Sequence, residues 1–257
     1  MAPQLQEGIH YAPGMRSGKF YTLLFLSADQ SASIAQVGEA IGRLWQLYLQ
    51  LKLGKIPDLP GEEVPNGSLS VMIGYGPSAF DLLGIGEKIP SALDRFGRFA
   101  SPSIDGRGAI LQGAGLSYGR DIVRNEADRP FAFQFIADTP LAVHRAVVET
   151  WKHLEDGKRT NGLSVLAIGR SYGGFQRDDR RSWIDFHDGI SNMKSKERID
   201  AIAIKPAGYD DDSWTEGGTY MAFIRIRTDL ASWRQLSRRQ QETMIGRRSC
   251  PDFRSLA

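Results

Sequence analysis

Between Asp185 and Asn192 the chain reads Asp-Phe-His-Asp-Gly-Ile-Ser-Asn, which brings two carboxylates and an imidazole within four residues. Two carboxylates brought close raise the pKa of one of them. His187 and Asp188 leave neighbouring backbone positions and their side chains point apart. The plainer reading of Asp188 is a turn residue bonding backbone amides ahead of Gly189. The other histidines have ordinary explanations. His144 falls on the apolar side of a helix and is expected to be a core residue; His153 is expected at the surface; His10 lies in a leading segment. No histidine follows His187. Arg225, Arg227, Arg247 and Arg248 are cations that follow the octapeptide. Asp210 to Asp212 lacks the spacing of a calcium loop and reads as a solvated turn. Gly169 to Phe175 lacks the lysine and glycine spacing of a phosphate loop. The five Trp and eight Tyr fall where core packing explains them.

The elements that must position the octapeptide follow from hydrophobic spacing. Lys19 to Ser27 is a short apolar, aromatic-rich run and reads as a buried strand. Ile34, Val37, Ile41, Leu44, Tyr48 and Leu51 then recur at spacings of three and four, which predicts a long helix ending near Gly54. Ser68 to Gly76 is a second strand after a turn-rich linker. The polar stretch from about Gly84 to Arg129 has little periodicity and is read as a long excursion. Phe131 to Ala137 is a third strand. A helix opened by Pro140 carries Leu141, His144, Val147, Val148, Trp151 and Leu154 to one side, and closes around Gly157 to Gly162. Gly162 to Gly169 is a fourth strand. This order predicts an α+β fold: a ferredoxin-like antiparallel sheet with both helices on one face, over residues 1–175 with the excursion at 84–130.

Residues 176–257 are expected to hold the octapeptide and the first part of a second ferredoxin-like unit. Gly218 to Asp229 alternates as a strand, Asp229 caps a helix through Trp233, and Ser237 with Gln240 forms a capping box closed by Gly246. A lone strand with short helices leaves a sheet edge unpaired, so it is expected to pair with a partner chain, a second copy of this chain or the free edge of the first sheet.

The octapeptide resembles the distal heme signature of the dye-decolorizing-type (DyP-type) peroxidases, G-x-x-D-G-x-x-N. Further segments resemble the family in its own order: LQEGIHYAPG (5–14), SLSVMIGYGPSAFDLLG (68–84), FAFQFIADTPLAVHRAV (131–147), GGFQRDDRRSWIDFHDGISN (173–192) and GGTYMAFIRIRTDLASWRQLSRRQQETMIGRR (217–248). The resemblance implies paired ferredoxin-like domains, heme b, and hydrogen peroxide reduction coupled to oxidation of dyes, phenols or other bulky reductants. Carried over by position, Asp188 is the distal proton-handling aspartate. Phe186, His187, Gly189, Ile190 and Asn192 stand where the signature lines the heme. Asp185 replaces the first glycine, which removes a permissive backbone position and adds a carboxylate three residues before Asp188. In the family the heme-ligating histidine and the distal arginine lie beyond the I-G-R segment, here Ile245 to Arg247, and no residue of this sequence matches either. The chain is therefore expected to be a short member that supplies the distal side, inactive in isolation. A complementary chain with the proximal histidine and distal arginine, or a homo-oligomer, would complete it. The alternative is a heme-free or heme-binding subunit that uses the same fold for assembly.

Composition narrows the class. Hydrophobic residues at 41% suffice for a real core, and Lys plus Arg at 32 against Asp plus Glu at 30 leaves a formal charge of +2, too balanced for a nucleic-acid partner. No apolar run reaches the ~18 residues of a membrane span, and no apolar leader follows the N-terminus. One cysteine, Cys250, fits a reducing compartment, so the expected location is the cytoplasm.

Overall fold

A computed structural model describes residues 7–11, 16–90, 93, 130–161, 164–187, 193, 195–204, 213–221, 223 and 229–247. Most of the excursion, most of the strand expected at Gly218 to Asp229, and the C-terminal residues with Cys250 lie outside them. The chain divides into two compact units, one of residues 1–175 with 195–221 and one of residues 176–194 with 222–257.

The first unit is built on β1 (Phe20–Ala28), α1 (Ile34–Lys52), β2 (Ser70–Tyr75), α2 (Pro77–Leu82), β3 (Phe131–Ala137), α3 (Pro140–Asn161) and β4 (Leu166–Phe175). The strands form one sheet in the order β2-β3-β1-β4, and each neighbouring pair is antiparallel. That is the ferredoxin-like arrangement expected from the order of the elements. Leu24 of β1 lies opposite Phe133 of β3, and Phe133 lies opposite Ile73 of β2, so one face is continuous across three strands. Phe131, Phe133 and Phe135 are fully buried on that face, as is Leu24. Tyr48 of α1 meets Phe133 and Phe135 edge-on, at ring-centre distances of 5.8 and 5.2 Å.

α1 begins with a capping box, in which the Ser33 side chain accepts from the Gln36 amide while the Gln36 side chain accepts from the Ser33 amide. Val37, Leu44, Tyr48 and Leu51 are buried as their spacing requires, Ile41 packs partly against the core, and Ile34 is exposed. Gly54 ends the turn after α1 at φ +74°, a conformation that suits glycine.

α3 departs from the expected face. Ala142, Val143, Ala146 and Thr150 are buried, whereas Leu141, His144, Val148 and Trp151 are exposed; Val147 and Leu154 are partly buried. The phenylalanines of β3 already fill the layer beneath the helix, so small side chains let it pack close and the bulky ones turn outward. His144 is therefore a surface residue and not the core residue that its apolar neighbours suggested. Thr150 is fully buried, donates to the Ala146 carbonyl at 2.6 Å, and its hydroxyl lies 2.9 Å from that of Tyr48. Burial pushes the Tyr48 phenol far up, and the Thr150 contact only partly opposes it. Tyr48→Phe is expected to cost about 1 kcal/mol in denaturant unfolding, since Thr150 keeps its Ala146 partner and only one net hydrogen bond is lost.

β4 runs from Leu166 through Phe175, beyond the expected end at Gly169. Pairing with Phe20 to Phe25 of β1 overrides the low strand preference of its glycines, and Tyr172 packs edge-on against Phe25 at 6.1 Å. In this unit α4 (Ser195–Ile202) and a short 3-10 turn at Ser213–Thr215 are joined by Ile204 donating to Gly218 and by the Thr219 hydroxyl donating to Ile202.

The second unit has α5 (Leu230–Gln235) and α6 (Arg238–Ile245). Asp229 caps α5 by accepting from the Ser232 amide at 3.1 Å, and Ser237 with Gln240 caps α6 reciprocally, as their sequence requires. Gly246 closes α6 in the left-handed conformation at φ +72°. Among the described residues no helix is long and apolar enough to cross a membrane.

Candidate functional site

Within the second unit, residues 177–187 form a small folded loop ahead of the carboxylate segment. A turn is closed by Asp185 N–H donating to the Ser182 carbonyl at 2.9 Å and by Ser182 N–H donating to the Phe186 carbonyl at 2.8 Å. Arg181 and His187 face each other in an antiparallel bridge. Asp185, where the resembling signature has glycine, sits at φ +69°. The residue takes the left-handed conformation although its side chain is not glycine, and aspartate is among the few residues that tolerate it.

Cations hold this loop. Arg177 donates to the Asp185 carboxylate at 2.8 Å, to the Asp179 carboxylate at 2.7 Å and to the Ser182 carbonyl at 3.1 Å. Arg181 donates to the Asp185 carbonyl at 2.7 Å. Asp185 first, and then Asp179, keep the Arg177 guanidinium protonated beyond its ordinary range. Phe186 is buried, meets Trp233 of α5 edge-on at 6.0 Å, and carries the Arg238 guanidinium 4.6 Å above its ring. His187 is half-buried and its carbonyl accepts from Arg247 at 2.7 Å.

Of the residues expected at the site, Phe186 and His187 are thus placed side by side and braced, while Asp188, Gly189, Ile190 and Asn192 lie outside the described residues. The sequence reading did not single out Arg177, Arg181, Trp233 or Arg238, although the Arg177–Asp179–Arg181–Asp185 charge alternation was a sign of the clamp. Arg247 was noted only as an unassigned cation; its side chain reaches the residue before Asp188. Arg247→Ala is expected to cost the loop about 1 to 2 kcal/mol, the worth of a hydrogen bond from a charged donor, and to speed proteolysis between residues 177 and 187. Unchanged cleavage there would show that the bond does not hold the loop.

A heme needs an axial donor, and His187 is tied by its backbone within the clamp. His144 and His153 belong to the first unit, on the surface and in a cavity respectively. That cavity, of about 810 Å³, lies between α1, the turn at Lys55 to Pro60 and His153, and no residue of the octapeptide lines it. Among the described residues no group of three or more histidine, cysteine, aspartate or glutamate side chains could hold a metal. Among the described histidines, His187 is the one that belongs to the same unit as the loop.

Comparison with known proteins places this geometry. The model of the family "Dyp-type peroxidase, C-terminal" matches residues 179–253, a span that contains the loop from Asp179 onward, α5, α6 and Arg247. Proteins named deferrochelatase from Shigella flexneri serotype 5b and Escherichia coli K12 are each 26% identical over 195 residues, which covers 73% of this chain and 41% of theirs. The matched region is thus less than half the length of those relatives. Among solved structures, a DyP-type peroxidase from Cellulomonas bogoriensis aligns with a TM-score of 0.65 at 20% identity, over 95% of this chain and 63% of that one. Ferric DtpA from Streptomyces lividans aligns with a TM-score of 0.65 at 22% identity, over 96% and 63%. These structures share the fold, and over residues 179–253 the chain is similar to the C-terminal part of DyP-type peroxidases.

Proposed function

We propose that this chain forms the distal side of a heme-dependent peroxidase that reduces hydrogen peroxide at the expense of dyes, phenols or other bulky reductants, with heme b as cofactor. The observation that carries the reading is that the family match at 179–253 spans Phe186 and His187, which precede Asp188, together with Trp233, Arg238 and Arg247, which brace them. Heme, when bound, supplies the iron at which peroxide is held and its O–O bond broken. Asp188 takes the proton from the near peroxide oxygen and returns it to the far one. Phe186 forms the apolar wall beside it and excludes water, fixed by Trp233 and Arg238. His187, Gly189, Ile190 and Asn192 complete the lining.

The axial histidine and the distal cation come, in this proposal, from a complementary polypeptide or a second copy of the chain. We assign the assembly to the cytoplasm, which suits a chain with one cysteine.

The test is to purify the protein with everything that co-purifies, add hemin, and compare it with the chain alone. A histidine-type Soret band and peroxide turnover are expected only in the assembly. The same features from the lone chain would remove the need for a partner, and no heme binding in either would leave the assembly subunit as the surviving function. The relatives' name, deferrochelatase, denotes removal of chelated iron and favours a second reading in which heme is the substrate. Metal-free porphyrin accumulating without peroxide consumption would establish that one instead.

A further inference from the structure

We propose that Asp185 is a positioning residue: its ion pair with Arg177 locks the left-handed turn from which the chain enters Phe186 and His187, and so fixes the placement of these two residues of the proposed distal segment. The inference rests on the reading of Asp188 given above. It is carried by geometry in the described residues. Asp185 stands at φ +69°, where most side chains meet their own backbone. Its carboxylate and its carbonyl are each held by a separate guanidinium, from Arg177 at 2.8 Å and Arg181 at 2.7 Å. Arg177 also grips the Ser182 carbonyl at 3.1 Å, across the turn that Asp185 N–H closes at 2.9 Å.

An exposed ion pair stabilises a protein little, and the Asp185 side chain is 61% exposed. The arrangement therefore acts on conformation. It selects one backbone state for a residue that would otherwise divide its time between left-handed and extended conformations. The effect passes to Phe186 and His187, which are packed and bonded in turn, and His187 is the last described residue before Asp188. Glycine reaches the same state without a latch, since it has no Cβ to clash. Alanine has the Cβ and lacks the carboxylate.

This contrast defines the experiment. In the full chain, kept with whatever co-purifies, amide exchange is followed at Ser182 and at position 185. Asp185→Ala is expected to speed exchange about tenfold, since alanine meets its own backbone in the left-handed state, and Asp185→Gly less than about threefold. Arg177→Ala should speed exchange in the wild-type background and have no further effect on top of Asp185→Gly, because the latch is then redundant. In the heme-loaded assembly Asp185→Ala should slow the peroxide step about tenfold at an unchanged KM for the reductant, with Asp185→Gly restoring it. Equal exchange in the alanine and glycine variants, or additive effects of Arg177→Ala and Asp185→Gly, would overturn the latch. Exchange in the expected order with a peroxide step indifferent to all three variants would overturn the positioning role. No peroxide turnover even in the wild-type assembly would instead refute the reading of Asp188, and the exchange order would still decide the latch.

Discussion

In the heme-loaded assembly, Asp188→Ala is expected to slow the reaction with hydrogen peroxide by about 10² to 10⁴, the range for loss of a general acid-base group. Since each tenfold corresponds to about 1.4 kcal/mol of barrier, roughly 3 to 5.5 kcal/mol of transition-state stabilisation is assigned to one carboxyl. Asp188→Asn should be nearly as slow, because an amide keeps the shape and hydrogen-bonding capacity but cannot take the proton. Heme affinity and the unfolding midpoint should stay close to wild type in both. Stopped-flow mixing with peroxide separates this step from reductant oxidation. A loss of less than about threefold would return Asp188 to the plainer role of a turn residue before Gly189. The clamp favours a sharp outcome, for Phe186 and His187 are held by Trp233, Arg238 and Arg247.

Much of this architecture was legible because it depends on local spacing. The six positions from Ile34 to Leu51 fixed α1, and Ser33 with Gln36, like Ser237 with Gln240, closes a reciprocal cap that needs only neighbours in sequence. What could not be read was decided by packing partners far along the chain. The inward face of α3 depends on Phe131, Phe133 and Phe135 occupying the layer below, so Ala142 and Ala146 face inward while Trp151 faces out. The octapeptide was found by its residue types, yet its support came from elsewhere: Arg247 lies 60 residues beyond His187. Asp185 shows both sides of this limit. The replacement of the signature glycine was visible in the sequence, but only the fold shows that Asp185 is left-handed and that Arg177 and Arg181 bond it.

The face assigned to α3 leads to the largest expected change in stability. Phe133 is fully buried, lies opposite both Leu24 and Ile73, and receives the edge of Tyr48. Phe133→Ala removes a ring from a layer whose strands and helices cannot close over the space. The lost transfer energy and the remaining cavity together should cost about 3 to 5 kcal/mol, a large share of the 5 to 15 kcal/mol that usually holds a domain folded. The informative control is Trp151→Ala. By apolar spacing alone Trp151 belongs to the same core, and its deletion would cost as much. In the structure it is 55% exposed, and removing it should change stability by no more than about 0.5 kcal/mol. Urea unfolding of the two variants side by side discriminates between the two faces of one helix. Equal losses would mean that α3 meets the sheet through Leu141, Val148 and Trp151, and a near-neutral Trp151→Ala beside a crippled Phe133→Ala fixes the small-residue face against the phenylalanine layer.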